Sequence, residues 1–395
     1  MNFRALTQPH FLPPSVLKSD LAMSFVDEIG QWPRERVAAL YENATGADVL
    51  AALGRGERSV RDLAVLLSPA ARPHLEQMAR EAQRLTRRHF GRTIGLYAPI
   101  YFSNLCSADC LYCGFAVCSG VKDERVTLTD GQIENECRAL TGMGYDNVLL
   151  LTGESPKAVP PARMAEVVAM ANRHFSSVSV EVYSLDEPDY RLLCDNGLEG
   201  VTIYQETYDR ELYSEVHPRG LKRDYAYRVD TLERAGNAGV RKLTLGALLG
   251  LFDWRIDLVW TAMHARYLQK RCWRSGICFS FPRLRHTPPR FRVDYPMSDA
   301  ELVQAIVAMR LFLPEAGFNL STRESAAFRD RVMPLGITSM SAGSSTRPGG
   351  YATRGEEVLE QFEVEDTRSP EEVVAMIRRA GYDPVWKDFD RAFHG

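Results

Sequence analysis

The stretch Tyr101-Phe-Ser-Asn-Leu-Cys106-Ser-Ala-Asp-Cys110-Leu-Tyr-Cys113 joins an apolar run to a loop with three cysteines in eight residues. The run that feeds it, Thr93 to Tyr101, reads as a β-strand, and the cysteines follow at once. Thiols separated by three and then two residues read as a metal site. Three thiolates this close can hold three irons of a cubane [4Fe-4S] cluster and leave the fourth iron open to a non-protein ligand. A zinc knuckle or a set of buried thiols is the alternative, but zinc needs a fourth ligand, and no His or Cys follows at suitable spacing. Cys118 is the nearest candidate.

Outward from this stretch, short apolar runs alternate with amphipathic segments. The runs are Thr93 to Tyr101, Asn147 to Leu151, Val178 to Tyr183, Gly200 to Tyr204, Lys242 to Leu249, Gly276 to Phe281, Phe318 to Thr322 and Gly336 to Ser341. Eight strands with helices between them predict an α/β fold, a (β/α)8 TIM-type barrel. Helix starts are signalled by Thr129 with Gln132, Ser298 with Glu301, and Ser369 with Pro370 and Glu372. Ahead of the barrel, Val26 to His89 has helical periodicity, with Val37, Leu40 and Tyr41 on one face, then Val49, Leu50 and Leu53, and Ala82, Leu85 and Arg88 closing the run. The expected division is a helical extension over 1–91, the barrel over 92–343 and a C-terminal extension with a final helix over 344–395.

The chain has 395 residues, of which 45% are hydrophobic and 25% charged, enough to bury a barrel-sized core. A formal charge of −3 and no dense basic face argue against nucleic-acid binding. Arg80, Arg84, Arg87, Arg88 and Arg92 read as a solvated helix face. Met1 to Asp20 has neither a signal-peptide nor a membrane-span pattern. The remaining cysteines, Cys118, Cys137, Cys194, Cys272 and Cys278, lack framework spacing, as expected of reduced thiols in a cytoplasm.

In such a barrel, chemistry gathers where strands end. The cysteine loop lies there. So do Gly153 and Glu154 after strand two, Glu181 and Ser184 at strand three, and Gln205 and Glu206 at strand four. Arg283 and Arg285 follow strand six, Arg323 and Glu324 strand seven, and Ser341, Ser344 and Ser345 strand eight. Glu324, Ser344 and Ser345 read better as caps or ion pairs. Arg323, between Ser321, Thr322 and Glu324, suits a bidentate grip on a carboxylate, with an ion pair to Glu324 as its structural alternative.

With these residues in place, the chain resembles the aromatic amino acid lyases of the radical S-adenosylmethionine (SAM) superfamily, and within it the thiamine-pathway tyrosine lyases. The likeness is carried by the cysteine stretch through Phe115, Leu151-Thr-Gly-Glu154, Tyr204-Gln-Glu-Thr-Tyr208, Gly246-Ala-Leu-Leu-Gly-Leu251, Phe279-Ser-Phe-Pro-Arg-Leu-Arg285, Ser321-Thr-Arg-Glu-Ser325 and Pro348-Gly-Gly-Tyr351. It runs from about Leu66 to Asp390 and implies a biotin/thiamin-synthesis-associated region after the barrel. It implies two cofactors, a [4Fe-4S] cluster on Cys106, Cys110 and Cys113 and SAM. Tyr112 would lie beside the adenine, Glu154 would meet the SAM ammonium, and Gly246 to Gly250 would approach the adenine, with Gly153 and Glu181 also on the cofactor side. Arg323 would hold the substrate carboxylate, with Tyr101 and Ser341 as neighbours, while Glu206 and Arg285 would face either SAM or substrate. The implied reaction cuts the Cα–Cβ bond of tyrosine to 2-iminoacetate and 4-methylphenol for thiazole synthesis. The implied partners are a flavodoxin or ferredoxin electron donor and a thiazole synthase.

Departures from the family pattern keep a second reading open, a relative acting on tryptophan or on another amino acid of a specialised pathway. The loop after Cys113 is longer and carries Cys118. Gly153-Glu154-Ser155 stands where the thiamine enzymes tend to have Gly-Glu-His, and Glu181-Val182-Tyr183-Ser184-Leu185 where they tend to have Glu-Val-Gln-Pro-Leu. No cysteine follows Cys278, which argues against the hydrogenase-maturation lyase and its second cluster.

Overall fold

A computed structural model describes residues 23–117, 124–285, 287, 291–352 and 358–386. Cys118 lies outside the described residues. β1 (Thr93–Ser103) is buried over most of its length on both faces, the pattern of a strand inside a parallel sheet. β2 (Asn147–Thr152), β3 (Ser177–Glu181), β4 (Gly200–Glu206), β5 (Lys242–Ala247), β6 (Gly276–Ser280), β7 (Gly317–Leu320) and β8 (Ser339–Ser341) each pair in parallel with the next. β1 pairs with β2 through Ala98–Ser103 and with β8 through Gly95–Tyr97, which closes the barrel. All eight expected strands are present, with ends shifted by a few residues. β8 starts at Ser339 rather than Gly336 because Gly336 ends the helix Ala326–Gly336, where its carbonyl accepts from Arg310 Nη2 at 2.7 Å.

The helices between strands begin where the side chains direct. Thr129 with Gln132, Ser298 with Glu301 and Ser369 with Glu372 each form a reciprocal capping box. Ser24, Thr45 and Ser59 do the same with Asp27, Asp48 and Asp62. Asp reaches back as Glu does, so three further helix starts use the same device.

The helical arm, from Phe25–Gly30 to Leu75–Phe90, lies against the outer helices Trp254–Arg271 and Asp299–Phe312. Phe25 stacks on His264 at 4.3 Å, Trp260 Nε1 donates to the Trp32 carbonyl at 2.9 Å, and the buried Arg58 donates to the carbonyls of Ala52, Leu53 and Leu311. Leu50 is 49% exposed and lies off the face expected for it, whereas Arg80, Arg84, Arg87, Arg88 and Arg92 all face solvent. Among the described residues no helix is long and apolar enough to cross a membrane.

The C-terminal extension contains the expected helix, Pro370–Arg379, but its last described element is a strand. β9 (Asp383–Val385) pairs with Thr93–Gly95 of β1, and Asn147 Nδ2 at the foot of β2 donates to the Trp386 carbonyl at 3.0 Å. A second tie is electrostatic. Arg329, buried in the helix after β7, donates to Asp366 of the extension and to the Ser341 carbonyl on β8. Arg368 joins Asp366 at 2.7 Å and Asp330 at 2.9 Å. Burial alone would raise the Asp366 carboxyl, but Arg368 and Arg329 hold it below the usual range.

Removing one partner of a buried pair leaves the other charge uncompensated, so Asp366→Ala, which strips the buried Arg329 of its carboxylate, is expected to cost about 3 to 5 kcal/mol in unfolding free energy. Arg80→Ala breaks a pair with Glu76 that is exposed on both sides and is expected to change it by less than about 1 kcal/mol. Urea denaturation of the two variants beside the parent checks both.

Candidate active site

The cysteine loop is held from several sides. Asn104 donates to the carbonyls of Glu124 and Leu359 and accepts from Val126 N at 2.7 Å. Arg125 gathers the carbonyls of Asn104, Phe115 and Ala116. Ser107 donates from both N and Oγ to the Glu154 carbonyl, at 2.7 and 2.8 Å. Gly153 is what lets β2 come so near: a Cβ there would stand 2.3 Å from the Leu105 carbonyl oxygen. Gly220, at φ +92°, is equally constrained, since its Cβ would fall 2.7 Å from Glu154 Oε1 and 2.8 Å from Ala108 Cα.

Cys106, Cys110 and Cys113 line one cavity of about 440 Å³ and are free thiols. Ala108, Tyr112, Val216, Leu248 and Leu251 form an apolar cluster around them. Burial raises all three thiols, Cys113 to about 11. Such thiols ionise when a cation offsets the charge, as iron does on ligation. Among the described residues, no three His, Cys, Asp or Glu side chains converge on a point that a single ion could fill. A cubane makes no such demand, because each thiolate takes its own iron. The residues fit a cluster.

Tyr112 is fixed by a histidine. Its hydroxyl lies 2.7 Å from His217 Nε2, and His217 Nδ1 lies 2.8 Å from the Tyr213 carbonyl. A carbonyl only accepts, so Nδ1 carries the proton and Nε2 accepts from Tyr112. Burial pushes His217 down to about 2, which keeps the ring neutral.

β1 and β4 each slip register near their active ends, at Tyr101/Ser103 against β2 and at Tyr204/Glu206 against β5. Bulges at such places re-aim side chains. Glu206 takes φ +70°, the one non-glycine positive φ among the described residues. The strand end is anchored from outside by Asp257, which accepts from Tyr208 N at 2.8 Å and Thr207 Oγ1 at 3.1 Å. Inside the cavity the Glu206 carboxylate meets Lys222 Nζ, with Arg228 at 3.9 Å. The Lys222 backbone N–H donates to Glu154 Oε1 at 3.1 Å, and its ammonium lies 5.8 Å from the Tyr112 ring. Burial works against that ammonium, but Glu206 and Cys110 hold its proton more tightly than usual. Sequence reasoning missed Lys222, Arg228 and His217. Their segment is crowded with charges and tyrosines and reads as a solvated surface; the motif after β4 gave no sign that it folds back over the barrel mouth.

The same cavity is lined by Tyr101, Ser341 and Arg323, and Cys106 and Cys113 pack against the cluster that holds Tyr101. Tyr101 donates to Gln361, and Ser341 Oγ accepts from Thr322 N at 3.1 Å. The Arg323 guanidinium stacks on Phe362 at 3.9 Å. Glu324, its structural alternative, is occupied elsewhere: Arg283 grips both its oxygens and Arg285 Nη1 lies 2.9 Å from Oε2. Among the described residues no carboxylate forms an ion pair with Arg323. Glu181, on β3, lines the same cavity; burial, then Glu206, raises its carboxyl to about 7, with Arg323 opposing.

Three expected site residues stand apart from the cavity wall. Arg285 turns to Glu324 and to Glu365, 3.7 Å away. A Cβ on Gly246 would fall 2.4 Å from the Ser280 carbonyl of β6, so close strand approach explains this glycine. Gly250 sits at φ +102° against Tyr295 and Leu284. Of the departures, Ser155 opens a turn, with its carbonyl accepting from Ala158 and Val159, and Ser184 Oγ accepts from Thr231 at 2.8 Å. Only the Tyr183 ring lines the cavity, its hydroxyl turned away to the Val159 carbonyl at 2.8 Å.

Residues 100–259 match the model of the radical SAM superfamily, and residues 280–383 that of the biotin and thiamin synthesis associated domain. The chain is 43% identical to 2-iminoacetate synthase of Salmonella typhimurium and 44% identical to that of Escherichia coli. Both alignments span 368 residues, 93% of this chain and 97% of each relative. Among solved structures it is similar to HydG, a maturase of the [FeFe]-hydrogenase, with a TM-score of 0.84 and 30% identity over 92% of this chain and 80% of that one.

If Gly153 sets the distance between β2 and the cysteine loop, Gly153→Ala must displace Leu105 and Cys106. Anaerobic reconstitution should then load well below the roughly four irons per chain expected of the parent, with far-UV circular dichroism retained. Gly142→Ala, where a Cβ meets nothing within 4 Å, should load as the parent does. Iron assay of the three proteins is the measurement.

Proposed function

The chain belongs to the 2-iminoacetate synthase family of radical SAM enzymes, and from that membership we propose that it cleaves the Cα–Cβ bond of L-tyrosine. The products are 2-iminoacetate and 4-methylphenol, with methionine and 5'-deoxyadenosine formed from SAM. The observation that carries this reading is the 43–44% identity over 97% of the length of the 2-iminoacetate synthases. Of the departures that kept tryptophan open, Tyr183 lines the cavity, while Ser184 Oγ is engaged by Thr231 outside it.

Cys106, Cys110 and Cys113 would hold the [4Fe-4S] cluster, and Tyr112, Gly153 and Glu154 would hold SAM beside it. When bound, these groups supply one-electron cleavage of SAM to a primary radical that takes a hydrogen atom from the substrate. The protein binds and orients. Arg323, stacked on Phe362 and lacking an acidic partner among the described residues, takes the substrate carboxylate through its two-pronged guanidinium. Tyr101 and Ser341 flank it. Lys222 and Glu206 neutralise each other at the cofactor side, so neither is left to draw the substrate there. The enclosing strand ends limit water around the reacting atoms.

An oxygen-sensitive cluster and free thiols suit the cytoplasm. A flavodoxin or ferredoxin would deliver the electron, and a thiazole synthase would consume the imine.

With SAM, a strong reductant and tyrosine, the reconstituted enzyme is expected to yield 5'-deoxyadenosine, 4-methylphenol and glyoxylate, the last from hydrolysis of the imine. Mass spectrometry reads all three; an indole product from tryptophan with tyrosine inert would reverse the assignment. Arg323→Ala is expected to lose about 3 kcal/mol of substrate interaction, roughly two orders of magnitude in kcat/KM. Arg323→Lys keeps the charge without the fork and should retain partial activity with a raised KM. Steady-state kinetics with tyrosine checks both. Thermal destabilisation with unchanged kinetics would return Arg323 to a structural role.

A further inference from the structure

Five glutamates line the cavity, and four are engaged. Glu154 accepts from Lys222 N, Glu206 pairs with Lys222 Nζ, Glu360 lies 3.3 Å from Arg347 Nη2, and Glu363 has a partner of its own. Glu181 is the exception: among the described residues no hydrogen bond or ion pair takes up its carboxylate. It sits where β3 ends, in register with Leu151 of β2, and Leu151 also lines the cavity. Its charge is felt by Tyr97 and Tyr101 of β1, Tyr204 of β4, and Arg323 beyond β7. It therefore shares one cavity with the cysteines, Glu154 and Arg323.

An α-amino acid carries its ammonium and carboxylate on one carbon, two bonds apart, so the groups that bind them must converge. Arg323 and Glu181 share one cavity and attract each other across it. We propose that Glu181 binds the substrate α-ammonium and accepts its proton, presenting a neutral amine for hydrogen-atom removal. In this step one N–H bond breaks heterolytically, the electron pair stays on nitrogen, and the proton passes to a Glu181 carboxylate oxygen. The need is chemical: an ammonium has no lone pair to stabilise a nitrogen-centred radical, and an amine has one. Glu181 is then a catalytic residue on the substrate side, rather than the cofactor contact that family likeness implies.

The proposal rests on the amino acid lyase reading. A carboxylate poised near neutrality suits proton acceptance from a bound ammonium. The groups that face Glu181 and set this balance are Glu206 of β4, Arg323 after β7, Arg228 and Lys222 from the β4–β5 connection, and the phenols of Tyr97, Tyr101 and Tyr204. Because the acceptor form is the ionised one, product formation should rise with pH through about 7.

The test is Glu181→Gln in the cluster-loaded enzyme. At pH 7 tyrosine-dependent product formation should fall about 100-fold, with the loss in kcat rather than in the KM for SAM. The acid limb of the pH profile should disappear, and the variant should recover at alkaline pH as the substrate amine loses its own proton. 3-(4-Hydroxyphenyl)propanoate keeps the carboxylate and phenol but has no amine, so it should bind parent and variant alike, whereas tyrosine should bind the variant more weakly. A variant that turns tyrosine over at the parental rate overturns the proposal. So does a raised KM for SAM with turnover restored at saturating SAM, which would return Glu181 to the cofactor. A parent enzyme inert to every aromatic amino acid overturns the lyase reading, and this proposal with it; an active parent with an unimpaired variant overturns this proposal alone.

Discussion

The lysine ammonium of Lys222, buried against the Glu206 carboxylate, is the interaction on which the barrel mouth depends. Its backbone N–H holds Glu154, its carbonyl accepts from Tyr213, and its charge lies near the Tyr112 ring and the Cys110 thiol. One residue thus links the end of β2, the end of β4 and the cysteine loop. A buried charge is tolerated only when it is paired, so the positive φ of Glu206 and the tight turn at Gly220 follow from bringing the two charges together. The charges of Lys222 and Glu206 are settled within the protein, whereas Arg323 and Glu181, which line the same cavity, form no ion pair among the described residues.

Much of this was legible in the sequence because parallel barrel strands are buried on both faces and so read as continuous apolar runs. Cysteine spacing singled out the loop that enters the cavity, and position at a strand end singled out Glu154, Glu181, Glu206 and Arg323, which line it as well. What stayed hidden depends on where the chain folds back. Lys222, Arg228 and His217 lie on short helical turns between β4 and β5, in a run of charges that has the composition of an exposed surface. Pairing choices were equally out of reach. Arg323 and Glu324 are adjacent in sequence, yet Glu324 pairs with Arg283 and Arg285 across the loops. Resemblance set Gly246 beside the adenine, and what the fold adds is a strand neighbour, the Ser280 carbonyl, against which a Cβ would fall at 2.4 Å.

A glycine, an acid and an arginine around this site do mechanical work on its geometry. Gly153 sets the separation of β2 from the cysteines, Asp257 fixes the far side of β4, and Arg125 gathers the carbonyls of the cysteine loop. The thiols can then present three separate ligating positions from one short loop. Rigid support of this kind is what lets a site hold reacting groups in register over many turnovers.

The pairing of β9 with the opening residues of β1 has a consequence for biogenesis. Thr93–Gly95 leave the ribosome ahead of every other barrel strand, whereas their partners, Asp383–Val385, follow only after all eight. The foot of the first strand therefore stays without this neighbour throughout synthesis of the barrel. Bridging so long a separation carries a high loop-closure entropy and a slow step. The cysteine loop, which springs from the other end of β1, is thereby made long before that strand has all its neighbours.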